Sequence, residues 1–497
     1  MRAGAELTRS MAIGGETALC PKPLRKFVLT VAVLGSSLGF IDGTIITVAI
    51  QPIRAGLSAS FSQLQWVVNA YTLALTAFLL VGGAAGDRFG RRKIFGGGVT
   101  VFAIASAVCG VAPTVEILIG ARGVQGLGAA LMVPASLALI AVNFPKAERG
   151  RAVGIWAAAS GVAAALGPIL GGLLIELGSW RAVFYVNIPV AAATLLLLYS
   201  RVPQDPARQT QRFDLLGAAM AFLAIGALAL GFTLAEGQGL TGTLPVTTIA
   251  MGLCLGVLFV AWQGRAPAPM LPLELFASAT FSIANAQTLL IYFALGGVVF
   301  FLPITLMEAK GWTAIAAGAV FLPFTASMAI VSPMAGRLAD RIGPKPLLIS
   351  GPLLVAFSLF VLGPAVRGGD YLFGVAPVMV GFGVGMGLAI PPLSAAILND
   401  AGSERSGIAS GVNNAVARMA GLLAVAIMGL LASVLYRDAL GLEEGGFGEG
   451  AAGLEAAEAM VDTFGVLAEA CAGLCVLAAL LAAWVPRVAR GNVPSAP

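Results

Sequence analysis

Gly83-Ala-Ala-Gly86-Asp87-Arg88-Phe89-Gly90-Arg91-Arg92-Lys93 joins two long apolar runs, and Gly336-Arg337-Leu338-Ala339-Asp340-Arg341-Ile342-Gly343-Pro344-Lys345 joins two more. In each stretch small residues close one helix, and an Asp-Arg pair follows. A turn-forming glycine then hands the chain to a second helix that begins with cations. A hinge that recurs between hydrophobic helices means two related halves.

The surroundings of the hinges fix the solvent. The chain is 58% hydrophobic and 11% charged, with a mean hydropathy of +0.94, whereas soluble domains carry about 25% charge. Apolar runs of about 20 residues recur from Phe27 to Trp484, each able to cross about 30 Å of hydrocarbon. The expected fold class is therefore an all-α membrane protein, and internal repeats are how many secondary transporters are built. The net charge of +5 does not announce a nucleic-acid partner, because the cations sit in short loops between spans, where they set topology. Five scattered cysteines (Cys20, Cys109, Cys254, Cys471, Cys475) and no histidine leave no metal site. Cys471 and Cys475 share a helix face but read as small packing residues, and no cofactor is expected. Lys22, Arg25 and Lys26 precede the first span with no small-residue cleavage site after it, so that span reads as an uncleaved anchor.

Spans are expected at about 27–50, 64–84, 94–112, 115–141, 152–175, 182–200, 214–235, 246–263, 279–306, 313–335, 346–366, 371–397, 407–435 and 461–485. Fourteen is even, so both termini share one side. Of the 29 lysines and arginines, only Arg54, Arg181, Lys310, Arg367 and Arg437 fall on the opposite side, with Arg122 and Arg418 inside spans. Cations accumulate in the cytoplasm, so both termini and both hinges are expected there, in a multi-pass protein of the cytoplasmic membrane. The first hinge follows the second span and the second follows the tenth. Two six-helix halves laid end to end would put them six helices apart rather than eight, so two additional helices lie between the halves. The expected organisation is a cytoplasmic tail (1–26), an N-terminal six-helix bundle (27–200), two added helices with their linkers (201–270), a C-terminal six-helix bundle (271–485) and a second tail (486–497).

These residues resemble the major facilitator superfamily, in its fourteen-span branch of drug:proton antiporters. Both hinges look like its loop signature. Phe40-Ile-Asp42-Gly-Thr44 through Pro52 looks like the branch's first-helix signature, and Arg122-Gly-Val-Gln125-Gly126-Leu-Gly128 like its fourth. Gly167-Pro168-Ile-Leu-Gly171-Gly172 is similar to the fifth-helix antiporter signature, Phe213-Asp214-Leu-Leu-Gly217 to the opening of the seventh helix, and Ala409-Ser-Gly411-Val-Asn413-Asn414 with Arg418 to the thirteenth. Six matches in the right order cover nearly the whole chain. There are departures. Pro344 stands where the first hinge has Arg91, Ala163 stands where the fifth-helix signature opens on glycine, and Met307 stands where the ninth helix often carries glutamine.

Asp42 lies well inside a span, where an acid costs about 2.5–3.5 kcal/mol on insertion scales. It is expected to line a central cavity and exchange a proton; the alternative is a hydrogen-bonded packing acid. Without histidine, proton coupling has to rest on carboxylates. Glu469 is the other candidate, on a last helix that is either peripheral or cavity-lining. Arg122 is expected to pair with Asp42 or with carbonyls near Gly123, Gly126 and Gly128, and so to govern protonation of Asp42. Gln125 adds neutral hydrogen bonds. Asn413, Asn414 and Arg418 form a polar patch that serves either as packing glue or as cavity lining. Gly167, Pro168, Gly171 and Gly172 form a close-packing and bending device; sealing the outer side is what the resemblance implies for it. In the hinges, Gly83, Gly90, Gly336 and Gly343 make the turns. Asp87 and Asp340 are expected to cap helices or pair with arginine, and Arg88, Arg91, Arg92 and Arg341 to gate or simply to set topology.

None of the lysines precedes Ser or Thr, so the chain holds no Gly-Lys-Ser/Thr phosphate loop. No histidine triad is available, and an enzyme is not expected. The reading is a proton-coupled exporter of amphipathic, cationic or neutral drug-like compounds, with protons, a small-molecule substrate and the bilayer as partners and one chain as the working unit. A proton-coupled importer or facilitator of a metabolite, and an exporter of a specific lipid or natural product, are the alternatives.

Overall fold

The structure is a computed structural model that describes residues 20–204 and 214–485, with the side chains of Asp87, Lys146, Ala147, Ser403, Glu404 and Ser406 outside that description. The expectations for both tails (before Cys20 and after Val485) and for the linker 205–213 lie outside the described residues. Among those residues fourteen helices are long and apolar enough to cross a membrane. They are α1 (Lys22–Leu57), α2 (Phe61–Gly86), α3 (Arg91–Val111), α4 (Val115–Asn143), α5 (Glu148–Leu177), α6 (Ala182–Arg201), α7 (Leu215–Gln238), α8 (Thr243–Gln263), α9 (Ala279–Glu308), α10 (Ala314–Ile342), α11 (Lys345–Gly368), α12 (Tyr371–Gly402), α13 (Gly407–Leu440) and α14 (Leu454–Ala482). Gly402, at φ 72° and ψ 170°, breaks what would otherwise be one continuous α12–α13 helix.

Small residues set the packing, because lipid offers no hydrophobic drive between helices and backbones must approach closely. In the first half a Cβ at Gly126 of α4 would sit 2.3 Å from the Tyr71 carbonyl of α2, and Gly98 of α3 faces Gly128 of α4. Gly167 and Gly171 of α5 lie on Thr44, Ile45 and Val48 of α1. The second half repeats the device, with Gly351 against Ala389 (α11–α12), Gly383 against Phe324 (α10–α12) and Gly363 against Gly465 (α11–α14). Helices α7 and α8 pair through Gly231 and Gly252. The α7–α8 hairpin leans on α2 at Gly226–Leu73 and Phe222–Phe78. Only 17% of α8's most apolar window is buried, against 61% for α9 and α13, so α8 is the lipid-facing member of the hairpin.

The hinges do equivalent work in the two halves. Gly90 (φ 97°) and Gly343 (φ 85°) adopt a backbone that a side chain disfavours, and their N–H groups close α2 and α10 on the carbonyls of Gly86 (3.1 Å) and Ala339 (2.8 Å). One cation then reaches the last helix of its own half, where carbonyls lack helical partners. Arg92 Nη2 donates to Tyr199 O at 2.8 Å, and Lys345 Nζ donates to Ala483 O and Val485 O at 2.6 and 3.0 Å. Asp340 differs from its expected role. It is exposed and makes no hydrogen bond or ion pair among the described residues. Arg341, also exposed, sits in the last turn of α10, where the dipole favours a cation. Gly83 and Gly336 are half-buried near the helix ends, and the Asp87 side chain lies outside the described residues.

At the face opposite the hinges the halves are locked together. Arg54 of α1 bonds Glu308 of α9 (2.8 Å) and Glu449 of the α13–α14 loop (3.3 Å). The Phe61 N–H donates to Glu449 at 2.7 Å, and its ring lies within 6.2 Å of those of Phe300, Phe301 and Phe447. Beside this lock, Gly172 of α5 meets Ile315 of α10 backbone to backbone.

Candidate functional site: a buried carboxylate–guanidinium pair beside an inter-bundle cavity

Five helices of the first half converge on Asp42. Its Oδ2 accepts from Arg122 Nη1 of α4. Its Oδ1 accepts from Gln125 Nε2 at 2.8 Å and from Asn187 Nδ2 of α6 at 3.1 Å. Gln125 Oε1 accepts from the same Arg122 Nη1 at 2.8 Å, which a three-residue helical spacing allows. Ser106 of α3 accepts from Asn187 (3.0 Å) and Gln125 (3.3 Å) and donates to Phe184 O (2.9 Å). Arg122 Nε donates to Val67 O of α2 at 3.0 Å, and the guanidinium sits 4.4 Å from the Tyr71 ring centroid. Both charged side chains are 0% exposed. A buried charge survives in hydrocarbon only when paired and hydrogen-bonded. Here the carboxylate receives three donors and cancels the one cation.

A cavity of about 380 Å³ lies at the seam, walled mainly by the second half with Phe40 from the first, within the range of small-molecule sites. Phe40 of α1, Tyr292 of α9, Ser394, Ile397 and Leu398 of α12, and Ser410, Asn413, Asn414, Ala417 and Arg418 of α13 line it. It lies on the hinge side of the Arg54–Phe61 lock. Asn413 Nδ2 bonds Thr288 Oγ1 of α9 (2.6 Å), and Asn414 Nδ2 bonds its own helix at Ser410 O (3.0 Å). Arg418 reaches over to the first half, lining a narrow gap with Gly39, Phe40, Tyr71, Leu75 and Val133.

Two placements correct the sequence reading. Asp42 and Gln125 do not line the cavity; both are fully buried inside the first bundle, where the Arg122 guanidinium lies against Tyr71, a residue of the narrow gap. Asp42 takes its three donors by turning inward to α4 and α6, away from the seam. Glu469 takes no part either. Its side chain is exposed on the outer face of α14, because the apolar stripe of Leu467, Cys471 and Cys475 claims the buried face. Asn413, Asn414 and Arg418 line the cavity, and Asn413 also ties α13 to α9.

Sequence reasoning missed Asn187 and Ser106, isolated polar residues in apolar runs, and Tyr71, whose hydroxyl donates to Gly39 O at 3.1 Å. It also missed Glu236 of α7. That acid is 5% exposed and accepts from Gln65 Nε2 of α2 at 2.6 Å. Ending the seventh helix at residue 235 made it a loop residue; the helix runs on to Gln238.

A family profile described as the Major Facilitator Superfamily matches residues 32–426. The chain belongs to the Major Facilitator Superfamily. Among its relatives this major facilitator protein is 34% identical over 403 residues to the multidrug resistance protein Stp of Mycobacterium tuberculosis, covering 80% of this chain and 74% of Stp. It is 33% identical over 406 residues to the tetracenomycin C resistance and export protein of Streptomyces glaucescens, covering 81% of this chain and 75% of that one. A solved bacterial homologue of the human lysosomal transporter Spinster, in an inward-facing and unoccupied conformation, superposes with a TM-score of 0.67 at 20% identity, covering 93% of this chain and 97% of that one. The family is one of transporters, and this chain, with fourteen membrane-length helices among its described residues, is a multi-pass membrane transporter.

Proposed function

We propose that the chain exports amphipathic organic compounds across the cytoplasmic membrane in exchange for protons, with Asp42 as the proton site. The observation that supports this best is the buried Asp42–Arg122 pair, whose guanidinium lies on the Tyr71 ring of the gap that Arg418 enters from the cavity side. In this reading the cation-rich hinge face is cytoplasmic, so the cavity takes cargo from inside while the Arg54–Glu308–Glu449 lock holds the outer side shut.

Protonating Asp42 removes the charge that balances Arg122. The guanidinium keeps Val67 O and Gln125 but loses its carboxylate, and it already leans on Tyr71. Tyr71 walls the gap that Arg418 enters from the second bundle and is tied to Gly39, one turn before Asp42. A proton arriving inside one bundle is thus felt at the seam without Asp42 touching cargo. Rocking of the bundles about the seam then exposes the cavity to the other side. The driving force is adequate: one charge entering supplies about 2.3 kcal/mol per 100 mV, equivalent to roughly a forty-fold gradient. The test is purified protein in liposomes carrying an imposed pH gradient and a fluorescent drug analogue. Gradient-dependent dye movement is expected, and movement equal to that of protein-free liposomes would refute the reading.

A further inference from the structure

The two intramembrane arginines are treated differently. Arg122 has a carboxylate, a carbonyl, an amide and an aromatic ring around it, with its Nη2 alone left without a partner. Arg418 makes no hydrogen bond, ion pair or ring contact among the described residues, and its Nε is buried without a partner. An unpaired guanidinium at membrane depth is costly and persists where it faces a pathway or a ligand. Arg418 faces the cavity. Among the described residues no Asp or Glu lines that cavity, and the intramembrane Asp42 is already paired with Arg122.

We infer that the cavity reads negative charge: the cargo is an amphipathic organic acid, held by Arg418 through a carboxylate, phenolate or enolate oxygen. The inference rests on the transporter reading above and replaces the cationic or neutral cargo that the sequence suggested. A guanidinium fork matches such oxygens in two parallel hydrogen bonds. The Asn414 and Ser394 side chains offer neutral polar contacts around the head group, while Phe40, Ile397 and Leu398 provide the apolar wall that the rest of the molecule needs. Because Arg418 reaches Gly39, Phe40 and Tyr71 on the first half, an anion on it would sit between the bundles, where both halves can respond to it. An organic anion leaving the cell and a proton entering move charge in the same electrical direction, so a membrane potential drives both.

Two dyes that share a xanthene skeleton test this: fluorescein, anionic at pH 7.5, and rhodamine 123, a cation. Their binding to the full chain in nanodiscs is read by fluorescence polarisation against empty nanodiscs. Wild type is expected to bind fluorescein at least tenfold tighter than rhodamine 123. Arg418→Gln is expected to weaken fluorescein at least tenfold and leave rhodamine 123 unchanged or tighter, with Arg418→Lys between the two. Should Arg418→Gln fail to fold, Asn414→Asp, which sets a carboxylate beside an intact Arg418, carries the same expectation. A wild type that prefers rhodamine 123, binds neither dye, or loses nothing in these variants overturns the inference. Fluorescein binding without any dye flux in vesicles refutes the transport reading alone, and flux of rhodamine 123 without fluorescein refutes this one alone.

Discussion

The α5–α10 seam gives a perturbation whose size can be worked from distances. A Cβ at Gly172 would lie 2.6 Å from both the Cα and the N of Ile315, and one at Gly318 would lie 2.4 Å from the Pro168 carbonyl oxygen. Non-bonded carbons prefer about 3.5–4.0 Å, so an alanine at either site must push the two backbones about 1 Å apart. The obstructing atoms are main chain and cannot rotate away. Overpacking of this kind costs about 1–3 kcal/mol, and here it falls on the one conformation in which α5 and α10 touch at the face opposite the hinges. A penalty of about 2 kcal/mol moves a two-state equilibrium about thirty-fold toward the conformation in which that face is open. Gly154→Ala and Gly161→Ala are matched controls on the same helix, with nothing within 4 Å of either Cβ. Spin labels at Leu177 and Phe373, both strongly exposed, report the opening by pulsed electron resonance in a background without the five cysteines. Gly172→Ala and Gly318→Ala should each add or enlarge a longer-distance population, and the controls should not. A folded Gly318→Ala protein with the wild-type distance distribution would refute the role assigned to this contact.

Asp214 holds the start of α7 to the end of α8, accepting from Gly217 N (2.8 Å), Trp262 Nε1 (2.8 Å) and Gln263 Nε2 (2.6 Å). Burial pushes its pKa up, but these hydrogen bonds outweigh burial and hold it below the ordinary 3.8. Its contribution is complete above that value and disappears as pH falls through the depressed one, so thermal stability should drop below about pH 4. Asp214→Ala should cost about 1–2 kcal/mol at neutral pH and flatten that acid limb; an unchanged pH–stability curve contradicts it. At the α2–α7 contact, Glu236→Gln keeps an acceptor for Gln65 and should be near neutral. Glu236→Ala strands the buried Gln65 amide and should cost about 1–3 kcal/mol, read as a loss of thermal stability in detergent.

The fold was legible because lipid imposes strict rules. Backbone must be helical, spans need a fixed length, and cations mark one side, so fourteen spans and a repeat could be read from the hinges outward. The Asp42–Arg122 pairing was legible for a related reason: opposite charges stranded in hydrocarbon need one another. What hydropathy does not carry is the direction a side chain takes around its helix. Asp42 turns into its bundle because Gln125 and Asn187 wait there, held by Ser106, adjacent in space but up to 145 residues away in sequence. Glu469 faces outward because its helix buries a different stripe. Glu236 was hidden by a helix end misplaced by three residues, and Arg418 gave no sign in sequence that it would be left without a partner.

The most direct measurement is the pH-gradient dependence of cargo flux in liposomes for wild type and Asp42→Asn, each checked for folding. An amide at that position retains bulk but carries no exchangeable charge. It also leaves Arg122 buried without its counterion, at a cost of about 3–5 kcal/mol, so a lower unfolding temperature should accompany the effect. Flux in Asp42→Asn that no longer responds to the pH gradient, with binding at the cavity retained, is the expected result. Flux that rises with the gradient as it does in wild type would contradict the account.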